Sequence, residues 1–222
     1  MTRRTYGQFC GVAHALELVG ERWALLIARD LLVGPKRFTD LRRGLPRIPT
    51  NVLSARLKEL EAAGIVRRRV LPRPASSVVY ELTDYGSELD EIVLRLGRWG
   101  AQSLGERGPE EIVTTDSMIM ALRATFQPTA APGFRASYQL HLGEIVIHAR
   151  IDDGTLDAGA GPLPNPDLVI ETEAPLKPVL AGEISPTEAV ESGRLRLTGD
   201  PALLPQFIAL FAISTTPSRP PT

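Results

Sequence analysis

An α+β chain of two domains is predicted by three observations. The 222 residues suit two domains of roughly 100 residues each. Charge is unevenly divided: up to Arg107 there are 18 Lys and Arg against 12 Asp and Glu, net +6, and beyond it 7 against 14, net −7. The apolar spacing also changes character. It is mainly helical with one hairpin in the basic half, and alternates as in strands, interrupted by helices, in the acidic half. With 43% hydrophobic and 23% charged residues, the composition excludes disordered and fibrous classes and leaves enough apolar residues for a core in each half. Gly105, Glu106, Arg107, Gly108 and Pro109 read as the linker, giving domains 1–107 and 108–222 with a disordered tail from about residue 215.

In the basic half, Val12, Leu16 and Val19 recur at helical spacing and Gly20 can stop that helix. Residues 23–33 are apolar nearly all round, which places a second helix centrally before Gly34 and Pro35. A short helix opens near Phe38 and stops at Gly44 and Pro46; a longer one covers 50–63 and is closed by Gly64. Strand-like runs at 66–71 and 78–82 flank a Pro- and Ser-containing turn, so they form a hairpin. Thr83 is a good N-cap for a final long helix in which Leu89, Ile92 or Val93, Leu96, Trp99 and Leu104 keep a three-four spacing.

The helix at 50–63 carries the binding signal. Leu53, Leu57 and Leu60 mark its buried stripe, and at 100° per residue Asn51, Ala55 and Lys58 fall opposite, with Ser54 beside them. A helix lying in a major groove needs little bulk near its start, an amide or guanidinium to read base edges, and groups to hold phosphate. Thr50, Asn51, Ser54 and Lys58 supply that set; Lys36, Arg37, Arg42, Arg43 and Arg47 precede it, and Arg73 stands at the hairpin tip. Helix, turn, basic helix and basic hairpin in this order point to double-stranded DNA as the partner. The last helix carries a longer apolar stripe than a small domain covers, so Ile92, Leu96 and Trp99 are expected to meet a partner helix.

The segments Cys10 to Leu16, Gly20 to Ile27, Arg37 to Leu41, Leu53 to Leu60 with Gly64 to Val66, and Tyr80 to Gly86 together resemble the HxlR-type winged helix-turn-helix regulators of bacteria. The resemblance covers about residues 6–104. It implies a winged helix-turn-helix domain and a homodimer formed by the first and last helices, with Leu16 joining Ile92, Leu96 and Trp99, and two recognition helices addressing successive major grooves. Gly11 departs from the family, which usually has proline after the cysteine. Cys10 keeps two readings: a redox sensor, as the matching cysteine is in some family members, or a small apolar residue at a helix start.

In the acidic half, Met118, Ile119, Leu122 and Phe126 share a helical face. Ala136, Tyr138, Leu140 and Leu142, then Ile145, Ile147, Ala149 and Ile151, alternate with polar residues as half-buried antiparallel strands do. Further strands fit 155–158, 168–172 and 194–198, with helices near 176–182, 187–192 and 203–213. This order resembles the sterol carrier protein type two fold over about residues 114–213. That resemblance implies a single, mainly antiparallel sheet with helices on one side enclosing a tunnel for an apolar small molecule; Met118, Met120, Phe126, Leu180, Phe207, Ile208, Leu210 and Phe211 are its candidate walls.

One cysteine and three distant histidines give no zinc spacing, so neither metal nor other cofactor is expected. His141 and His148 fall on the polar faces of neighbouring strands and read as solvated, because no nucleophile motif or phosphate loop accompanies them; no enzyme is expected. No apolar run approaches the length of a membrane span and the N-terminus lacks a signal-peptide stretch, so a cytoplasmic protein with no membrane partner follows. The expected function is a transcriptional regulator whose DNA binding answers to an apolar ligand in the acidic half. Its rivals are a regulator sensing oxidants through Cys10, and a lipid carrier or accessory protein whose winged domain mediates protein contacts alone.

Overall fold

The computed structural model describes residues 5–72, 77–105, 107–108 and 110–213. Two of the expectations above, Arg73 at the hairpin tip and the tail from about residue 215, lie outside the described residues. The chain divides into two compact units, Met1–Val93 and Leu94–Thr222. The last helix of the winged portion, rather than the Gly- and Pro-containing linker, carries the chain across that division.

The first unit holds α1 (Gly11–Val19), α2 (Ala24–Val33), α3 (Phe38–Gly44), α4 (Thr50–Ala62), the hairpin β1 (Val66–Val70) and β2 (Val78–Leu82), α5 (Asp84–Ser87) and the start of α6 (Leu89–Gln102). Gly20 is the C-cap of α1, and the tight turn there needs glycine, because a Cβ would come within 2.4 Å of the Leu16 carbonyl oxygen. Trp23 sits at the N-cap of α2 with φ of 82°, a left-handed backbone that costs a bulky residue on the order of 1–3 kcal/mol. Its ring packs against the core and lies 5.2 Å under the Arg22 guanidinium, contacts that hold the conformation. Asp40 opens α3 by accepting the Arg37 N–H at 3.1 Å. Ile27, Leu31, Leu41, Leu53, Leu57, Leu60, Ile65 and Val66 close over one another as the core. The hairpin is longer than its own two strands suggest: Lys36 and Tyr80 exchange backbone hydrogen bonds of 3.0 and 2.7 Å, adding a third, one-residue strand to its edge.

The final helix of this portion is not the single element expected from Thr83. Thr83 caps α5 by accepting the Gly86 N–H at 3.0 Å, and its hydroxyl donates to the Gly64 carbonyl at 2.6 Å. Gly86 lies so close to the Ile65 carbonyl that a Cβ would approach within 2.1 Å, and Glu88 N–H turns to Tyr85 O three residues back. This tightened turn separates α5 from α6, and α6 ends at Gln102, leaving Leu104 outside the helix.

The second unit contains the rest of α6, α7 (Thr115–Thr125), β3 (Arg135–Leu142), β4 (Ile145–Asp152), β5 (Thr155–Ala160), β6 (Leu168–Thr172), α8 (Lys177–Leu180), α9 (Pro186–Glu191), β7 (Arg196–Gly199) and α10 (Leu203–Leu210). The five strands form one sheet in the order β5-β4-β3-β6-β7. All neighbours are antiparallel except β3 and β6, so the sheet is mixed. Ala136, Tyr138, Leu140, Ile147, Ala149, Ile151, Leu168 and Ile170 are buried on one face, as the alternation requires. Against this face Phe207 of α10 lies 5.1 Å from Tyr138 and 4.8 Å from Phe211, which stacks in turn 5.7 Å from Phe126. Burial pushes the Tyr138 hydroxyl well above the ordinary tyrosine range, with the Asp167 carboxylate adding to the effect. Among the described residues, no helix is long and apolar enough to cross a membrane.

Candidate nucleic-acid interface

Helix α4 is the centre of the basic surface. Pro49, its N-cap, offers no side-chain acceptor to the first amides of the helix. Leu53, Leu57 and Leu60 are buried, and this fixes the rotation of the helix: Thr50, Asn51 and Lys58 are exposed and Ser54 is half-buried. The Ser54 hydroxyl donates back to the Thr50 carbonyl at 2.9 Å, which commits its proton to the helix and leaves its lone pairs as acceptors. Arg37, Arg42 and Arg43 are exposed on and before α3, with Arg43 only loosely matched to Asp40 at 3.7 Å.

Other arginines of the basic half are already engaged with carboxylates, which sequence reasoning missed. Arg67 and Arg69 both donate to Glu81, at 2.8 and 2.7 Å, across the hairpin register. The Glu81 carboxyl is held below the ordinary range, by Arg69 foremost, with burial opposing and Arg67 adding. Arg68 on the opposite hairpin face reaches Glu61 of α4 at 3.1 Å, and Arg56 of α4 pairs with Glu59 and lies 3.4 Å from Glu21. The Arg56–Glu21 and Arg68–Glu61 pairs tie the middle and the C-terminal end of α4 to the turn before α2 and to the hairpin. The signal for the pairs with Glu81 is the hairpin register, which alternation alone leaves open by one residue.

The residues expected to meet a partner helix are exposed in the single chain: Leu16 by 44%, Ile92 by 55%, Leu96 by 45% and Trp99 by 70%. No residue of α6 is buried, although its apolar side chains are collected along one stripe.

Comparison with known proteins places these features. Residues 18–107 match the family described as HxlR-like helix-turn-helix. The uncharacterized HTH-type transcriptional regulator YvaP of Bacillus subtilis is 39% identical over 88 residues, 40% of this chain and 82% of that protein. The chain belongs to the HxlR-like helix-turn-helix family. The HTH-type transcriptional regulator YodB of Bacillus subtilis is 41% identical over 88 residues, 40% of this chain and 79% of YodB. A solved structure of the reduced form of YodB is 38% identical and covers 43% of this chain and 94% of that one, with a TM-score of 0.39. These HxlR-type relatives are transcriptional regulators, and the family match ends at residue 107, so it assigns no family to the second unit.

Cys10, ahead of the HxlR match, is exposed at the N-cap of α1. The backbone amides of Ala13 and then Val12 hold its thiol below the ordinary cysteine value. In the second unit, Met120, Phe126, Leu180, Phe207, Leu210 and Phe211 are buried together, and Met118 and Ile208 are half-buried beside them. His141 and His148 are half-buried rather than solvated: Nε2 of His141 lies 2.7 Å from Gln139 Nε2, and Nδ1 of His148 lies 3.0 Å from the Gly161 carbonyl. The crossover from β5 to β6, which alternation along single strands does not reveal, runs over that face and accounts for the difference. Among the described residues, no group of three or more His, Cys, Asp or Glu is placed to hold a metal ion.

Proposed function

We propose that this chain is a cytoplasmic, homodimeric regulator that binds double-stranded DNA sequence-specifically and whose affinity is modulated by an apolar small molecule in its second unit. The observation that carries the DNA part is the rotation of α4, which buries Leu53, Leu57 and Leu60 and leaves Thr50, Asn51 and Lys58 exposed beside Arg37, Arg42 and Arg43. In this reading Asn51 and Ser54 meet base edges, and Thr50, Lys58 and the arginines, Arg73 among them, hold phosphates. Exposure of Leu16, Ile92, Leu96 and Trp99 supports a dimer that sets two recognition helices about one helical turn apart. The second unit is read as a sterol-carrier-like effector domain. Its element order supports this, as does a core mixing methionine and phenylalanine, side chains that can part around an apolar guest. Such a guest acts by its differential affinity for two dimer geometries, commonly about 1–3 kcal/mol.

Fluorescence anisotropy on a dyad duplex selected from a random library, against a scrambled duplex, tests the reading. Asn51→Ala should weaken the selected duplex by about 1–3 kcal/mol and leave the scrambled one nearly unchanged. Equal loss on both removes the base-reading role.

A second reading, control through Cys10 oxidation, is favoured by the exposure of that thiol and its lowered titration range. Diamide that releases DNA from the wild type but not from Cys10→Ser establishes it. Release from both, or from neither, returns the sensing role to the second unit.

A further inference from the structure

The second face of the C-terminal sheet, opposite Tyr138 and Phe207, is polar and is crossed by one segment. Residues 161–167 link β5 to β6 and must pass β4 and β3, because the strand order is β5-β4-β3-β6-β7. Midway, Leu163 is buried and its N–H donates to Gln139 Oε1 at 2.8 Å. Gln139 is itself only 8% exposed, and its Nε2 lies 2.7 Å from His141 Nε2. At the start of the segment, the Gly161 carbonyl meets His148 Nδ1 at 3.0 Å.

The donors and acceptors leave one arrangement. A backbone N–H only donates, so Gln139 must turn its oxygen to Leu163. Its other end is then an NH2 group, which also only donates, so His141 Nε2 must carry a lone pair. That is a neutral imidazole with its proton on Nδ1. An imidazolium has no lone pair, and flipping the Gln139 amide would set its NH2 against the Leu163 N–H. The Leu163 tether and a protonated His141 therefore exclude each other. His148 differs, because Nδ1–H donates to Gly161 in either protonation state.

A protonated His141 has a carboxylate beside it that favours its charge. Glu171 on β6 is its register partner on the same face, and holds Arg196 of β7 only at 3.7 Å. The other charged or titratable groups on this face are His148 and Arg150 on β4, with Arg150 3.6 Å from Asp157 of β5, Arg135 of β3 paired with Asp152 of β4 at 2.6 Å, and Asp167 of the crossover, which is engaged by Ser137; Glu144 and Glu173 stand at the strand ends. Val146, opposite His141, is uncharged.

We propose that His141 is a proton switch for the 161–167 crossover: neutral, it accepts from the Gln139 NH2 and leaves the Gln139 oxygen to Leu163; protonated, it takes that oxygen for itself, so that the Gln139 amide flips and releases Leu163, while His148 keeps the Gly161 end in place. The unit thereby responds to acidification. This switch does not depend on DNA binding or on an apolar ligand.

Amide hydrogen exchange of the full chain, read by NMR and corrected for the intrinsic pH dependence of exchange, tests it. Between about pH 8 and about pH 5, Leu163 protection should fall roughly 3- to 10-fold, the loss of one hydrogen bond, while the Leu140 and Ile170 amides keep theirs. His141→Gln, whose amide oxygen accepts from Gln139 at every pH, should abolish the fall. Glu171→Gln, which leaves His141 and Gln139 in place, should move the fall to lower pH and serves if the first variant does not fold. Wild-type Leu163 protection that ignores pH, the same fall in His141→Gln, no effect of Glu171→Gln, or a parallel fall at Leu140 and Ile170 would each overturn the switch.

Discussion

The two units use apolar residues in opposite ways. In the second, Tyr138, Phe207, Phe211 and Phe126 pack ring against ring and close the core on itself. In the first unit, Leu16 on α1 and Ile92 on α6 remain open to solvent although that unit has a buried core, and the stripe runs on along α6 through Leu96 and Trp99, past the division between the units. An exposed stripe of that size on one helix face is costly to keep in water, about 25 cal/mol per Å2 of apolar surface, and is the mark of a face that another surface covers. The difference is between a core that closes on itself and an apolar stripe, running across the division of the two units, that stays open to solvent in the single chain.

Three experiments sharpen or break this contrast. The largest effect is expected in the closed core: Phe207→Ala should cost about 3–5 kcal/mol of stability in the second unit, read by chemical denaturation. A loss below about 1 kcal/mol would mean that the rings are loosely held and that the cavity reading gains. Next comes the open stripe. Leu96→Asp with Trp99→Asp should yield a monomer in analytical ultracentrifugation and lower affinity for a two-half-site duplex by on the order of 100-fold or more, with no loss of fold. A pair of aspartates that unfolds the chain would place the stripe inside the protomer instead.

The smallest effect concerns the hairpin. Glu81 titrates below the ordinary glutamate range, chiefly through Arg69. A carboxyl lowered in the folded state adds stability above its unfolded value, near 4.3, and loses that contribution as pH falls through the folded value. Acidification below about pH 4.3 should therefore loosen the hairpin, and Glu81→Gln should flatten this acid limb in a melting-temperature series against pH. An unchanged limb would mean that the two arginines contribute nothing net.

Much of the winged portion was legible in the sequence because its information is local. Leu53, Leu57 and Leu60 at three-four spacing determine which residues of α4 face out, and Gly20 and Gly64 mark where helices stop. The alternation from Ala136 to Ile151 likewise announced β3 and β4. What stayed hidden depends on partners far along the chain. Alternation says that 168–172 is a strand, yet nothing in Leu168 to Thr172 says that it pairs parallel with β3 rather than beside β5. The same holds for Glu81 between Arg67 and Arg69, and for Gln139 beneath Leu163, where one residue of register would separate the groups. The break between α5 and α6 was missed for a steric reason: Gly86 is pressed against the Ile65 carbonyl, a contact that no helical periodicity records.

The single-residue bridge between Lys36 and Tyr80 has a mechanical meaning. Its two backbone bonds rivet the hairpin to the turn between α2 and α3, just ahead of Arg37 and the helix that leads into α4. On the other side of the hairpin, the exposed pair of Arg68 and Glu61 adds a weaker contact to the C-terminal end of α4. The bridge thus works as a clasp: the turn ahead of α3 and the strand β2, 44 residues apart in the chain, are held by backbone groups that no substitution short of proline removes.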